Sequence, residues 1–250
     1  MLSKARRHIL GVPVDIIDRK ISLDLVNNLL QDNKLGNYIL AVNAEKVISL
    51  QKNIVLKNFY EKASLLLTDG IGVVIAIRLI LGMKANRVTG IDLMQSICKQ
   101  SLKYKYRIFV FGGREEINKK AIEILKMRFP GIQIVGRSNG YVNDEEMGNL
   151  LTQINEADAD ILFVGLGSPK QEMWILNNLA SLKIRVCQAI GGTLDVLAGK
   201  SKRAPYLIQM IGFEWLYRLL KEPKRIGRQV VYPLFIYRIF KEKLRIHLNG

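Results

Sequence analysis

Short apolar runs alternate with amphipathic stretches along most of the chain. Runs at 12–17, 38–42, 64–68, 107–111, 132–135, 161–165 and 186–190 read as strands. Between them, apolar residues recur at helical spacing over 23–31, 44–51, 71–81, 91–104, 115–129, 144–157 and 170–179. Such alternation of strand and helix builds a mostly parallel sheet covered on both faces. There is no internal repeat, low-complexity tract or long linker. The pattern predicts an α/β fold, a Rossmann-like core over residues 1–199.

The character changes near Gly192. From Lys202 onward there are eleven Lys and Arg against three Glu, which is half of the net charge of +16. These cations are interleaved with Leu207, Phe213, Trp215, Leu219, Phe235 and other bulky side chains. Amphipathic helices interrupted near Pro223 and Pro233 fit that composition. Residues 200–250 are therefore expected to form a C-terminal, basic, amphipathic helical appendage.

A pI near 9.9 calls for an anionic partner, whether phosphorylated substrate, anionic lipid or nucleic acid. A hydrophobic content of 49% argues against disorder. Cys98 and Cys187 stand far apart and form no CxxC pair, so a reducing cytoplasm suits them. Met1 to His8 lacks the apolar stretch of a secretory signal, and the apolar run from Ile71 to Met83 is too short to span a bilayer. A soluble or peripheral protein is expected. His8 and His247 are the two histidines, both near the termini, so any general base is expected to be a carboxylate.

The chemistry-bearing residues cluster after the predicted strands, where a parallel sheet binds its ligands. The stretch Gly165-Leu166-Gly167-Ser168-Pro169-Lys170-Gln171-Glu172 turns from strand to helix at once. Ser168 is expected to cap that helix, with Pro169 in its first position, leaving backbone N–H groups for phosphate. Gln171 would aim its amide at the same place. Asp69, between Thr68 and Gly70, is the first choice for a base, or else caps the next helix. Asn43 reads first as a cap for the helix at 44–51, at the same sheet edge. Arg87, in Arg87-Val88-Thr89-Gly90, is a cation for a leaving diphosphate or a plain surface arginine. Gly112 and Gly113 give backbone access to a nucleotide. Gly140-Tyr141 offers a ring to stack on a base, and Asp195 an acceptor for uracil or ribose, or another cap. Asp158-Ala159-Asp160 spells DxD but precedes its strand, at the wrong edge for a ligand. No obligatory metal or other cofactor is expected.

The ordered set Asn43-Ala44-Glu45, Thr68-Asp69-Gly70, Arg87-Val88-Thr89-Gly90, Phe111-Gly112-Gly113, Gly167 to Glu172, Arg203-Ala204-Pro205 and Glu214 to Arg218 resembles the WecG/TagA/CpsF family of bacterial glycosyltransferases. The likeness runs from about Gly11 to Arg228. One departure is Ala41, where the family often has Thr. The resemblance implies inverting transfer of a sugar from UDP to GlcNAc on a polyprenyl diphosphate, in teichoic-acid, common-antigen or exopolysaccharide synthesis. It implies Asp69 as the base, Asn43 and Gln171 on the sugar or acceptor, and Arg87 on the diphosphate. Tyr141 and Asp195 would hold uracil. Arg218, Arg225 and Arg228 match basic positions that close over the site at the inner face of the plasma membrane. N-acetylmannosamine is the first choice of sugar; the same UDP grip suits N-acetylmannosaminuronic acid, glucose, galactose or a glucuronic acid.

Three other readings stay open. A dinucleotide-dependent oxidoreductase shares the layout, but Asp18-Arg19-Lys20 follows the first strand where GxGxxG is required. A basic nucleic-acid-binding protein would need a recognised motif, and the tail's aliphatics favour lipid over nucleic acid. The tail could also serve simply as packing, most often as a homo-oligomer interface.

Overall fold

The computed structural model describes residues 5–205, 208, 214–221 and 230–249. Six strands form one parallel sheet: β3 (Asn37–Val42), β4 (Leu65–Thr68), β5 (Arg107–Gly112), β6 (Gln133–Ser138), β7 (Ile161–Gly165) and β8 (Val186–Ala189), in the order β4-β3-β8-β7-β5-β6. The chain first builds outward from β3 to β4, then from β5 to β6, and fills the middle with β7 and β8. All six strands end at one rim.

Helices cover both faces. Against one lie α2 (Ala44–Leu50), α3 (Ile54–Glu61), α4 (Ile71–Leu81), α7 (Asp144–Glu156) and α8 (Lys170–Asn178), contributing Val47, Phe59, Val73, Ile154 and Ile175 to the core. Against the other lie α1 (Arg19–Gln31), α5 (Gly90–Tyr104), α6 (Glu115–Arg128) and the short α9 (Thr193–Leu197), through Val26, Ile97, Leu125 and Leu194. Burial on two sides explains why β4 reads Leu-Leu-Leu-Thr and β7 Ile-Leu-Phe-Val-Gly with no polar alternation.

The first predicted strand lies elsewhere. β2 (Val12–Ile16) pairs antiparallel with β1 (Ala5–Ile9), a strand not anticipated, in a separate hairpin. Its docking is polar at the centre. Asp15 is fully buried, accepts 2.8 and 2.9 Å hydrogen bonds from Arg6, and takes the Leu66 N–H at 2.8 Å. Leu66 sits on edge strand β4, whose outward amide would otherwise be orphaned. Arg6 also donates to the Glu61 and Ala63 carbonyls, so the hairpin is pinned to both the edge strand and the end of α3.

Two further helices are described in the tail, α10 (Glu214–Lys221) and α11 (Val231–Asn249). α11 is not a free arm. It packs on α2 and α4. Phe235 and Ile239 are 1% and 4% exposed and join the core cluster of that face. A Cβ added at Gly72 would lie 3.3 Å from the Phe235 ring, so small residues at the start of α4 admit this helix. The opposite side of α11 presents Ile236, Tyr237, Phe240 and Leu244 to solvent. Among the described residues no helix is long and apolar enough to cross a membrane.

Phe235→Ala removes the anchor of α11, at a cost of about 3–5 kcal/mol. Hydrogen exchange should then rise over 231–249 and stay slow in β3, β7 and β8; unchanged protection of α11 would contradict this packing.

Candidate active site

The loops that leave β3, β4, β7 and β8 meet at the carboxyl rim. β3 and β4 pair with Val42 opposite Thr68, so Asn43 and Asp69 are the next residues beyond the paired ends. The Asp69 N–H donates to the Val42 carbonyl at 2.9 Å, and a Cβ on Gly70 would lie 3.6 Å from the Asn43 Cβ. The two motifs are therefore side by side, both half-buried. Asn43 does cap α2, its Oδ1 accepting from the Lys46 N–H at 2.9 Å. Gly70, not Asp69, holds the N-cap position of α4.

Ser168 does not cap α8. Pro169 occupies the N-cap, and the Ser168 hydroxyl is held by the Lys46 ammonium. The helix begins at Lys170, which leaves Ser168 one residue outside the N-cap position and its hydroxyl beside the buried ammonium. Lys46 is 7% exposed and its Nζ lies 2.7 Å from Oε1 of Glu172, itself 1% exposed. The same Oε1 receives Tyr60 Oη and Gln171 Nε2, both at 3.3 Å. Burial raises the Tyr60 pKa well above its ordinary value, and the Glu172 charge and hydrogen bond push it further, so the phenol remains a donor. Gln171 is buried too, and its Oε1 accepts the Gly191 N–H at 2.9 Å. Its amide braces the loop beyond β8.

The glycine loops on the other side of the rim are packed against one another. Gly112, at φ 127°, passes so close to β7 that any Cβ would run into the Gly165 carbonyl. Gly113 N–H donates to Gly165 O at 3.1 Å and Gly140 N–H to Gly113 O at 2.7 Å. A Cβ on Gly140 would meet Leu166 at 2.7 Å. These glycines serve backbone-to-backbone contact first, and that contact aligns three loops. Tyr141 stands 72% exposed beside them. Asp195 lies in the first turn of α9 without capping it, partly exposed, with Lys200 at 3.9 Å. Gly167 has open space around its α-carbon.

Arg87 belongs to a second polar group, where the tail meets the core. It is paired with Glu214 of α10. Arg203 grips Asp92 bidentately at 2.8 and 2.9 Å, and Thr89 Oγ1 donates to Asp92 at 2.7 Å. Burial works to raise the Asp92 pKa, but the hydrogen bonds from Arg203 and Thr89 outweigh it and hold the carboxyl below its ordinary 3.8. The bond to Asp92 in turn raises Arg203, with the charges of Glu214 and Asp69 adding to it. Thus Arg203 lies within electrostatic reach of Asp69. Arg218 lies on α10. Arg225 and Arg228 are outside the described residues.

At the opposite rim, Asp158 pairs with Arg107, while Asp160 accepts the Arg107 N–H and pairs with Arg185. The DxD carboxylates are committed to strand starts. Among the described residues no group of three or more His, Cys, Asp or Glu gathers.

Sequence reasoning passed over Lys46 and Tyr60 as site residues, and treated Glu172, Arg203 and Glu214 only as motif letters. Lys46 has one visible signal: it falls among Ala44, Val47 and Ile48 in a helix that buries nearly all its residues.

Comparison with known proteins adds an independent line. The profile described as Glycosyl transferase WecG/TagA/CpsF family matches residues 7–249. Proteins of Staphylococcus aureus strains MRSA252, MW2 and NCTC 8325 / PS 47, each named N-acetylglucosaminyldiphosphoundecaprenol N-acetyl-beta-D-mannosaminyltransferase, are 32% identical over 243 residues, covering 97% of this chain and 95% of theirs.

Lys46→Met strands the Glu172 carboxylate and should cost about 3–5 kcal/mol in urea unfolding; an unchanged midpoint would contradict the buried pair. The depressed Asp92 pKa contributes stability that is full above its unfolded value near 3.8 and is lost as pH falls through the lower folded value. Arg203→Gln should flatten that acid limb in thermal melts taken from about pH 5 downward, where a slope equal to the wild type's would exclude the contribution.

Proposed function

Because the chain belongs to the WecG/TagA/CpsF family of glycosyl transferases, we propose that it moves N-acetylmannosamine from a UDP-linked donor to GlcNAc carried on a polyprenyl diphosphate. The observation that carries this reading is the juxtaposition of Asp69 and Asn43 at the rim where the loops of β7 and β8 also arrive. The relatives' names supply the sugar and the lipid-linked acceptor. The dinucleotide and nucleic-acid readings give way to glycosyl transfer.

In this reaction Asp69 takes the proton of the acceptor hydroxyl while that oxygen attacks the anomeric carbon. The carbon–oxygen bond to the diphosphate breaks on the opposite face, so configuration inverts and UDP leaves. An ordinary aspartate, with a pKa of about 3.9, is a weak base, and placing both reactants supplies much of the acceleration. Asn43 holds the sugar or acceptor, and Gln171 fixes the loops around it. Charge on the leaving diphosphate is met by Arg87 and by backbone N–H groups at Gly167 and Ser168, without a metal, while Gly112 and Gly113 let main chain approach the nucleotide. Arg87 is now held by Glu214, a carboxylate that stands where an anionic leaving group would compete for it. Tyr141 stacks on uracil beside Gly140, and Asp195 accepts from it.

The lipid of the acceptor stays in the bilayer, so the enzyme works at the inner face of the plasma membrane. The exposed side of α11 supports docking there: Ile236, Tyr237, Phe240 and Leu244 lie among Arg238, Lys241 and Arg245. Each cation near an anionic surface adds about 1 kcal/mol.

Asp69→Asn should still bind UDP but lose about 10²–10⁴-fold in UDP release with a lipid-diphosphate-GlcNAc acceptor. Near-normal turnover would remove Asp69 from the base role. UDP-N-acetylmannosamine should be the preferred donor in a panel of UDP-sugars, and preference for another sugar would correct the donor alone.

A further inference from the structure

We infer that the Lys46–Glu172 pair is a positioning device that locks the Asn43 loop and the Ser168–Gln171 loop into one rigid rim across three strands. β3 and β7 do not touch; β8 lies between them. With neighbouring strands about 4.8 Å apart, the loops leaving β3 and β7 start roughly 10 Å from each other. No backbone ladder joins them at that point. The side chains supply the link.

The link is continuous. Asn43 Oδ1 accepts from the Lys46 N–H, so the side chain of the first motif is oriented by this residue's backbone. The Lys46 ammonium then reaches Ser168 Oγ and Glu172 Oε1 on the β7 side. Gln171 donates to the same Glu172 oxygen and accepts the Gly191 N–H beyond β8. Tyr60 on α3 donates its one hydroxyl proton to Glu172, and its oxygen also lies 3.5 Å from the carbonyl of Ala41 in β3. Loops from β3, β7 and β8 are thereby tied through one carboxylate oxygen. The other oxygen, Glu172 Oε2, is buried and has no hydrogen-bond partner among the described residues. Such a carboxylate is costly unless its ammonium stays in place, so the pair tolerates little movement of either loop.

A buried ion pair replaced by neutral groups of similar shape is commonly no less stable. A pair kept only for stability would then be dispensable. Lys46 and Glu172 make no demand on substrate charge, because they cancel each other. Their contribution is to the geometry of Asn43 and Gln171 relative to Asp69. Lys46 and Glu172 are positioning residues in this sense, and the inference rests on the transferase reading for its catalytic consequence alone.

The test is the double variant Lys46→Met with Glu172→Gln, in the full chain. Its melting temperature should equal or exceed that of the wild type. Hydrogen exchange should rise at least tenfold in peptides covering 43–46, 167–172 and 190–192, and stay unchanged in β5. In transfer assays kcat should fall about ten- to a hundredfold while KM for the UDP-sugar changes less than threefold, as lost positioning of reactants requires. Unchanged exchange in those peptides overturns the tether whether or not transfer is seen. Should the double variant fail to fold, Glu172→Gln alone is read in the same peptides, where the same outcomes decide. A wild-type protein without transfer activity fails the function reading instead; a wild type that transfers, with a double variant of equal kcat, fails the positioning role.

Discussion

Parallel pairing delivers every strand end, and so every following loop, to the same edge. That constraint organises the whole molecule. Six strands run one way, and the residues proposed for glycosyl transfer come from the loops that follow all six. Loops that face each other at this edge, such as those of Asn43 and Asp69, are separated in the chain by intervening helices and a strand. Helices on both faces exclude water from the strands, which leaves the rim as the place where backbone N–H groups and polar side chains gather.

A rim assembled from distant loops has to be braced, and two different devices do this. On the β5–β6–β7 side the brace is steric: Gly112, Gly113 and Gly140 let main chains lie against each other, joined by backbone hydrogen bonds. On the β3–β8–β7 side it is ionic, through Lys46 and Glu172. The two sides suit the roles proposed for them. Main chain fits a nucleotide, whose phosphates take N–H donors. Side chains fit a reacting sugar, whose hydroxyls need placed partners. The tail adds a third set of contacts, in which Glu214 and Arg203 hold Arg87 and Asp92 of the β4 crossover.

Much of this was legible beforehand. The α4 boundaries, the strand at 161–165 and the alternation of elements follow from apolar runs and spacing, because a doubly covered strand must be apolar throughout. The hairpin was not legible. Ala-Arg-Arg-His-Ile reads as a charged terminus, and β2 looks like any other strand until its partner is known. Helix α3 was missed although Asn53 caps it, because it is only eight residues long and follows α2 after a short break. Among site residues, Asn43 and Asp69 could be found from their place after strands. Ser168 was misread because α8 starts one residue later than its capping preference suggests, and its hydroxyl meets a lysine 122 positions away. Lys46 itself carries no local mark of burial beyond its helix face. Long-range polar pairing of this kind is invisible to periodicity.

The central claim is that donor and base share the carboxyl rim. Titration of UDP into the isotopically labelled protein, followed through backbone amide chemical shifts, tests it most directly. The largest changes should fall at Gly112–Gly113, Gly140–Tyr141, Gly167–Ser168 and Gly191–Asp195, with smaller ones at Asn43 and Asp69. Changes centred instead on Asp158–Asp160 and Arg107, at the opposite rim, would contradict it.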